Sequence, residues 1–217
     1  MKLGQPIPNE PHAVSVSLPK WDDVKGYEEG VPRVVDAMQL GYPRFVYHPL
    51  IKKLVVQLEA AFAADFEFCL PFPSIKYALL CTKYCGTGKV REWKGIYAVI
   101  LPKGLEKKAK EFWMHSGFIV SSRLAESILG TKTETKNKKP EIKNKLASLS
   151  GAAVDDIYLY PSGMAAIFSA FEITSGGRTL QLGFPYVDTL KIQEKFGSAK
   201  FIDYRGNADI GKLKAEL

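Results

Sequence analysis

The stretch YLYPSGMAAIFSAF, residues 158–171, decides how this chain is read. Its first three residues continue a β-rich run that begins at Ile157, and Pro161, Ser162 and Gly163 then break it. Met164, Ile167, Phe168 and Phe171 follow at i, i+3, i+4 and i+7, the spacing of one apolar helix face. Strand, tight turn and helix therefore succeed one another within fourteen residues. Ser162 is placed to cap the helix, and Gly163 lets a ligand come close to the backbone. Free N–H groups at a helix start, reinforced by the macrodipole, bind phosphate. An ordinary βα turn is the competing reading, and the turn alone does not separate the two.

Downstream the pattern is regular. It predicts a helix over 142–149, a strand over 157–160 and a helix over 164–171, then a turn at Gly176-Gly177. A strand over 179–184, a helix over 188–196 with Gly197 beyond it, and a strand over 199–204 complete the series. Strands alternating with helices of about ten residues imply βαβ crossovers and a parallel sheet. Ligands of such open sheets sit at the carboxyl ends of strands, where Ser162-Gly163-Met164 and Pro185-Tyr186 fall.

Upstream the reading is less regular. Pro6, Pro8, Pro11, Pro19, Gly26 and Gly30 predict an extended arm held by contacts, with Trp21 and Tyr27 as anchors. Helices are expected over 32–40, 50–64, 75–84, 105–113 and 121–129, with a turn at 71–73. GIYAVILP, 95–102, is short, β-branched and aromatic, which marks a strand.

Composition narrows the function. A 46% hydrophobic content suits a globular core, and no apolar run is long enough to span a bilayer. The N-terminus lacks the basic-then-apolar pattern of a signal peptide, so a cytoplasmic protein is expected. Cys69, Cys81 and Cys85 are an odd set without a disulfide framework, and they read as packed residues with no metal site. The net charge is +7, but TKTETKNKKPEIKNK, 131–145, holds six lysines and two glutamates and so carries +4 of it. No aromatic interrupts that tract, so it reads as a solvated linker and not as a nucleic-acid surface.

LSGAAVDDIYLYPSGMAAI, 149–167, resembles the start of the cofactor domain of the cystathionine γ-synthase family, pyridoxal-phosphate enzymes of cysteine and methionine metabolism. The resemblance implies that Gly163 and Met164 hold the cofactor phosphate with their backbone N–H groups, with Ser162 just before them. LGFPYVDTLKIQEKFG places Tyr186 22 residues after Met164, where the family stacks a tyrosine on the pyridine ring. Asp188 and Thr189 beside it cap the following helix by default. The family also sends an arginine across a dimer interface to the neighbour's phosphate. Ser121-Ser122-Arg123, 40 residues before Gly163, is the better match on spacing; Tyr42-Pro43-Arg44 keeps a tyrosine but lies 119 residues before it. The segments GQPIPNEPHAVSVSLPKW and GYEEGVPRVVDAMQLGYPRF look like the N-terminal extension of fungal members.

The resemblance implies an α/β chain: the beginning of an aspartate-aminotransferase-like, pyridoxal-phosphate-dependent transferase fold, with parallel βαβ units after an α-rich N-terminal extension. Its expected domains are a mixed α/β extension over 1–130, a lysine-rich linker over 131–145 and the start of the cofactor domain over 146–217. The implied activity is γ-replacement on an activated homoserine ester by cysteine, giving cystathionine, in a homo-oligomer acting on small amino-acid substrates. A sulfhydrylase of the same family and a non-catalytic remnant are the alternatives. In the family the Schiff-base lysine and the substrate-binding arginine lie well downstream of the stacking tyrosine. Lys191 and Lys195 are in the wrong place for the former, so the chain is expected to be a truncated piece, inactive alone.

Overall fold

The computed structural model describes residues 1–41, 45–130, 137–174, 178–183, 186–202, 211 and 214. They form two compact units, 1–162 and 163–217.

The first unit opens on an arm in which β1 (Pro6–Ile7) pairs antiparallel with β2 (Ser15–Val16), but residues 21–28 of the expected extended arm are helical and Trp21, expected to anchor it, is exposed. Gly4 takes φ +73°, and a Cβ there would overlap the Ala37 carbonyl, so only glycine allows the arm to lie this close. In α1 (Trp21–Glu28) the buried Asp23 accepts hydrogen bonds from the Lys20 N–H at 3.2 Å and the Arg33 guanidinium at 2.8 Å. The helix expected over 32–40 is only one turn long, α2 (Pro32–Val35). The Gln39 N–H donates to the Gly4 carbonyl at 3.2 Å, so the arm takes a donor that a longer helix would use.

The core of this unit is a three-stranded sheet. After α3 (Pro49–Phe62) the chain runs through β3 (Glu67–Phe72), α4 (Ile75–Cys85), β4 (Lys89–Trp93) and β5 (Ile96–Pro102). The strand order is β3-β5-β4, antiparallel throughout. Central β5 is buried on both faces, which explains its almost unbroken apolar run. Ile96, Ala98 and Ile100 join one apolar cluster with Ile51, Leu54 and Leu58 of α3 and Ala125 and Ile128. Toward the other face, the Phe72 ring meets that of Phe112, centroids 6.0 Å apart. Strands β3 and β4 were not foreseen. Pro71, read as part of a turn, lies in β3, where it is tolerated because β3 is an edge strand.

Three further helices, α5 (Glu106–Ser116), α6 (Ser122–Ile128) and α7 (Lys139–Ser150), follow. Helix α7 reaches three residues further into the lysine tract than the expected 142 start, with Pro140 in its first turn. Its apolar stripe of Ile142, Leu146 and Leu149 is exposed. The segment 157–160, expected to be a strand, forms no ladder among the described residues. An extended segment becomes a strand only when a neighbour takes up its N–H and C=O groups, and Tyr158 is 73% exposed.

The second unit has the βαβ character expected. Helix α8 (Gly163–Thr174) precedes β6 (Arg178–Leu182), α9 (Val187–Phe196) and β7 (Ser198–Ile202). Strands β6 and β7 pair in parallel, from Arg178 opposite Ser198 to Leu182 opposite Ile202. Phe168 and Phe196 meet edge to face with centroids 5.0 Å apart, which ties α8 to α9. Gly197 lies against that contact: a Cβ there would come within 2.6 Å of Phe171 Cζ. The chain as described is an α/β protein. Expectations on Tyr42, Pro43, Arg44, Gly176, Gly177, Pro185 and Tyr204 fall outside the described residues.

Candidate functional site

Helix α8 begins at Gly163, directly after the Pro161-Ser162 break. A Cβ built on Gly163 would meet no atom within 4 Å, so the backbone at the helix start faces open space. That space at the start of a twelve-residue helix, where backbone N–H groups and the helix dipole favour negative charge, is one that a side chain would partly fill. Met164 is 3% exposed, which leaves its backbone N–H and not its thioether as the group on offer. Ser162 stands directly before the helix, as the sequence reading places it. Its hydroxyl donates to the Gly117 carbonyl at 2.8 Å, so its proton is committed within the first unit.

Tyr186 stands immediately before α9 and is 54% exposed. Its backbone carbonyl accepts from the Thr189 N–H at 3.0 Å, and its hydroxyl donates to Asp188 Oδ2 at 2.7 Å. Asp188, expected to cap the helix, thus restrains the tyrosine ring, and the helix-capping position belongs to Tyr186 itself. A restrained, exposed aromatic ring at this position can stack on a flat heterocycle.

Arg123 lies in the first turn of α6, exposed, with no hydrogen bond or ion pair among the described residues. The residues flanking it on the helix are tied down. Ser121 caps the helix by accepting from the Leu124 N–H at 3.1 Å. Ser122 Oγ lies 2.9 Å from His12 Nδ1, and Glu126 Oε2 lies 3.1 Å from His12 Nε2. His12 stacks on His48, ring centroids 5.9 Å apart. His48 in turn donates from Nε2 to the Pro11 carbonyl at 2.6 Å and accepts the Leu50 N–H on Nδ1 at 3.1 Å. Sequence reasoning missed this cluster, because 110 residues separate His12 from Ser122 and no local spacing links them.

Among the described residues no group of three or more His, Cys, Asp and Glu could hold a metal. Burial, with Glu59 and Glu67 nearby, pushes the Cys69 thiol up to about 12, so it is neither a ready nucleophile nor a ready ligand. The first unit also carries an open groove of about 730 Å³ lined by Val35, Tyr47, Lys52, Lys110 and Trp113 among others. None of the site residues expected from the sequence lines it.

Residues 50–121 match the family model described as the fungal trans-sulfuration enzyme, N-terminal domain. That span runs from the first turn of α3 to the cap of α6 and holds the whole three-stranded sheet. A cystathionine gamma-synthase of Saccharomyces cerevisiae is 40% identical over 151 aligned positions, covering 58% of this chain and 24% of the relative. One of Neurospora crassa is 27% identical over 361 aligned positions, covering 100% of this chain and 58% of the relative. A cystathionine gamma-synthase-like enzyme of Amanita muscaria is 26% identical, covering 90% of this chain and 49% of the relative. The chain thus spans between 24% and 58% of the length of these relatives. The Neurospora alignment is longer than this chain's 217 residues, so that relative carries extra segments inside the matched span. No solved structure matches the chain.

Proposed function

We propose that this chain, which belongs to the cystathionine γ-synthase family, forms part of a pyridoxal-phosphate enzyme of trans-sulfuration. The reaction proposed is replacement of the γ-acyloxy group of an activated homoserine by cysteine, giving cystathionine. The observation that carries the reading is the opening of α8, where the backbone at Gly163 faces empty space at the start of a long helix. A sulfhydrylase of the same family would use the same helix start.

The N–H groups at Gly163 and Met164 bind the cofactor phosphate, aided by the helix dipole. Tyr186, its hydroxyl held by Asp188, keeps the pyridine ring in one plane relative to the substrate. Ser162 supports the turn through Gly117 and could give its hydroxyl to the phosphate only by leaving that partner. Arg123 reaches the phosphate bound by the neighbouring subunit of a homo-oligomer, and its lack of a competing ion pair suits it to that task. The cofactor, when bound, supplies an electron sink beside the substrate amino group.

The proposed arrangement places the start of an aspartate-aminotransferase-like cofactor domain from residue 146, after the extension over 1–130 and the linker over 131–145. No helix among the described residues is long and apolar enough to cross a membrane. Tyr186→Ala tests the ring contact: pyridoxal phosphate affinity, read as retention after dialysis, should fall about two- to tenfold, the effect of one stacking contact of about 0.5–1.5 kcal/mol. Wild-type retention in that variant would remove Tyr186 from the site.

A further inference from the structure

We propose that His12 is a positioning residue for Arg123: it fastens the N-terminal arm to two successive turns of α6 and so sets the backbone from which the arginine projects. The inference rests on the assignment of Arg123 to a cofactor phosphate made above.

The geometry is specific. Ser122 and Glu126 are four apart on α6, so their side chains rise from one face of the helix, and a single imidazole bridges them with its two nitrogens. The His12 side chain is 10% exposed and that of Glu126 16%, so solvent competes weakly for either bond. Arg123 sits between these two anchors and is exposed. Helix α6 is only seven residues long, too short to hold its own shape without tertiary contacts. Its inner face is supplied by Ala125 and Ile128, which pack in the apolar cluster with α3, and these fix its depth. Hydrophobic contacts are non-directional, however, and leave rotation about the helix axis and sliding along it less well defined. Two hydrogen bonds to one rigid ring supply that missing restraint.

The ring is itself held. It stacks on His48, whose Nε2–H donates to the carbonyl of Pro11, the residue just before His12. The arm is closed on itself by the β1–β2 pair and anchored by the Gln39 N–H on the Gly4 carbonyl. A continuous path therefore runs from the arm through His12 to the helix that carries Arg123. An arginine pairing with phosphate needs its fork aimed correctly, and a displacement of about 1 Å at such a contact costs up to roughly a hundredfold.

The test uses the protein at its full natural length. In its cofactor-free form, His12→Ala should speed amide hydrogen exchange in α6 while leaving β5 protected. In the loaded form, His12→Ala should weaken pyridoxal phosphate binding roughly tenfold, and His12→Gln, which can still reach Glu126, should restore part of it. The decisive measurement is the same substitution in an Arg123→Ala background, where it should have no further effect on affinity. Unchanged exchange in α6 would overturn the inference, and so would an affinity loss that persists in full without Arg123. Wild-type affinity in Arg123→Ala would remove the arginine from the phosphate and this inference with it. A simultaneous loss in Tyr186→Ala would then show that the cofactor reading survives.

Discussion

His48 offers the sharpest quantitative test, because its two ring nitrogens do different jobs. Nδ1 accepts the Leu50 N–H at the start of α3, and Nε2–H donates to the Pro11 carbonyl. Only the neutral ring can do both, since protonation places a hydrogen on the accepting nitrogen. Burial, the largest cause, lowers the His48 pKa from its ordinary 6.5; His12 lowers it too, while the Pro11 bond and Glu126 act the other way. The sign follows from linkage. The unfolded chain takes up this proton more readily than the folded one, so the contribution is fully present above about 6.5 and is lost as pH falls toward the depressed folded value. His48→Ala removes a helix cap worth about 1 kcal/mol and a hydrogen bond worth about another 1 kcal/mol. A loss of about 2 kcal/mol in a unit of this size lowers Tm by roughly 4–8 °C at neutral pH. His48→Asn keeps a capping oxygen but does not titrate, so it should lose only about 1 kcal/mol at neutral pH. Melts of wild type and His48→Asn between about pH 7.5 and pH 5 are the assay, with the groups common to both cancelling in the difference. The wild-type advantage should shrink or reverse as pH falls; a gap that stays constant or widens would refute the reasoning.

Two other substitutions test the second unit. Gly163→Ala should fold as well as wild type or up to about 1 kcal/mol better, because its new methyl meets no neighbour and the unfolded chain loses freedom. It should nevertheless retain less pyridoxal phosphate on dialysis, and undiminished retention would show that no ligand approaches that backbone. Gly197→Ala should cost about 1–3 kcal/mol in urea denaturation, since its Cβ would press within 2.6 Å of the Phe171 ring. A neutral outcome there would mean that α8 shifts freely against α9.

Local signals were legible wherever a residue's neighbours in sequence are also its neighbours in space. Helix α3 was readable from its apolar spacing, α4 from the glycines that close it, strand β5 from its unbroken apolar run, and the β6–α9–β7 unit from its alternation. The helix start at Gly163 was readable too, because a helix start depends on a few adjacent residues. Edge strand β3 was not, since Pro71 argues for a turn until the sheet order shows that β3 has one free side. Nor was the short α2, which ends where the arm claims the Gln39 N–H.

The sequence by itself determined the α/β character, the helix start at Gly163, the aromatic at Tyr186 and the resemblance that unites them. Each is encoded in contiguous residues whose periodicity and turn chemistry act locally. Only the tertiary structure decided that Ser162 spends its hydroxyl proton on Gly117. It alone decided that 157–160 lacks a ladder partner among the described residues, and that His12 grips the helix of Arg123 from 110 residues away. The physical reason is the same in each case: a hydrogen bond is chosen by what folding brings within 3 Å, and no spacing along the chain reports that distance.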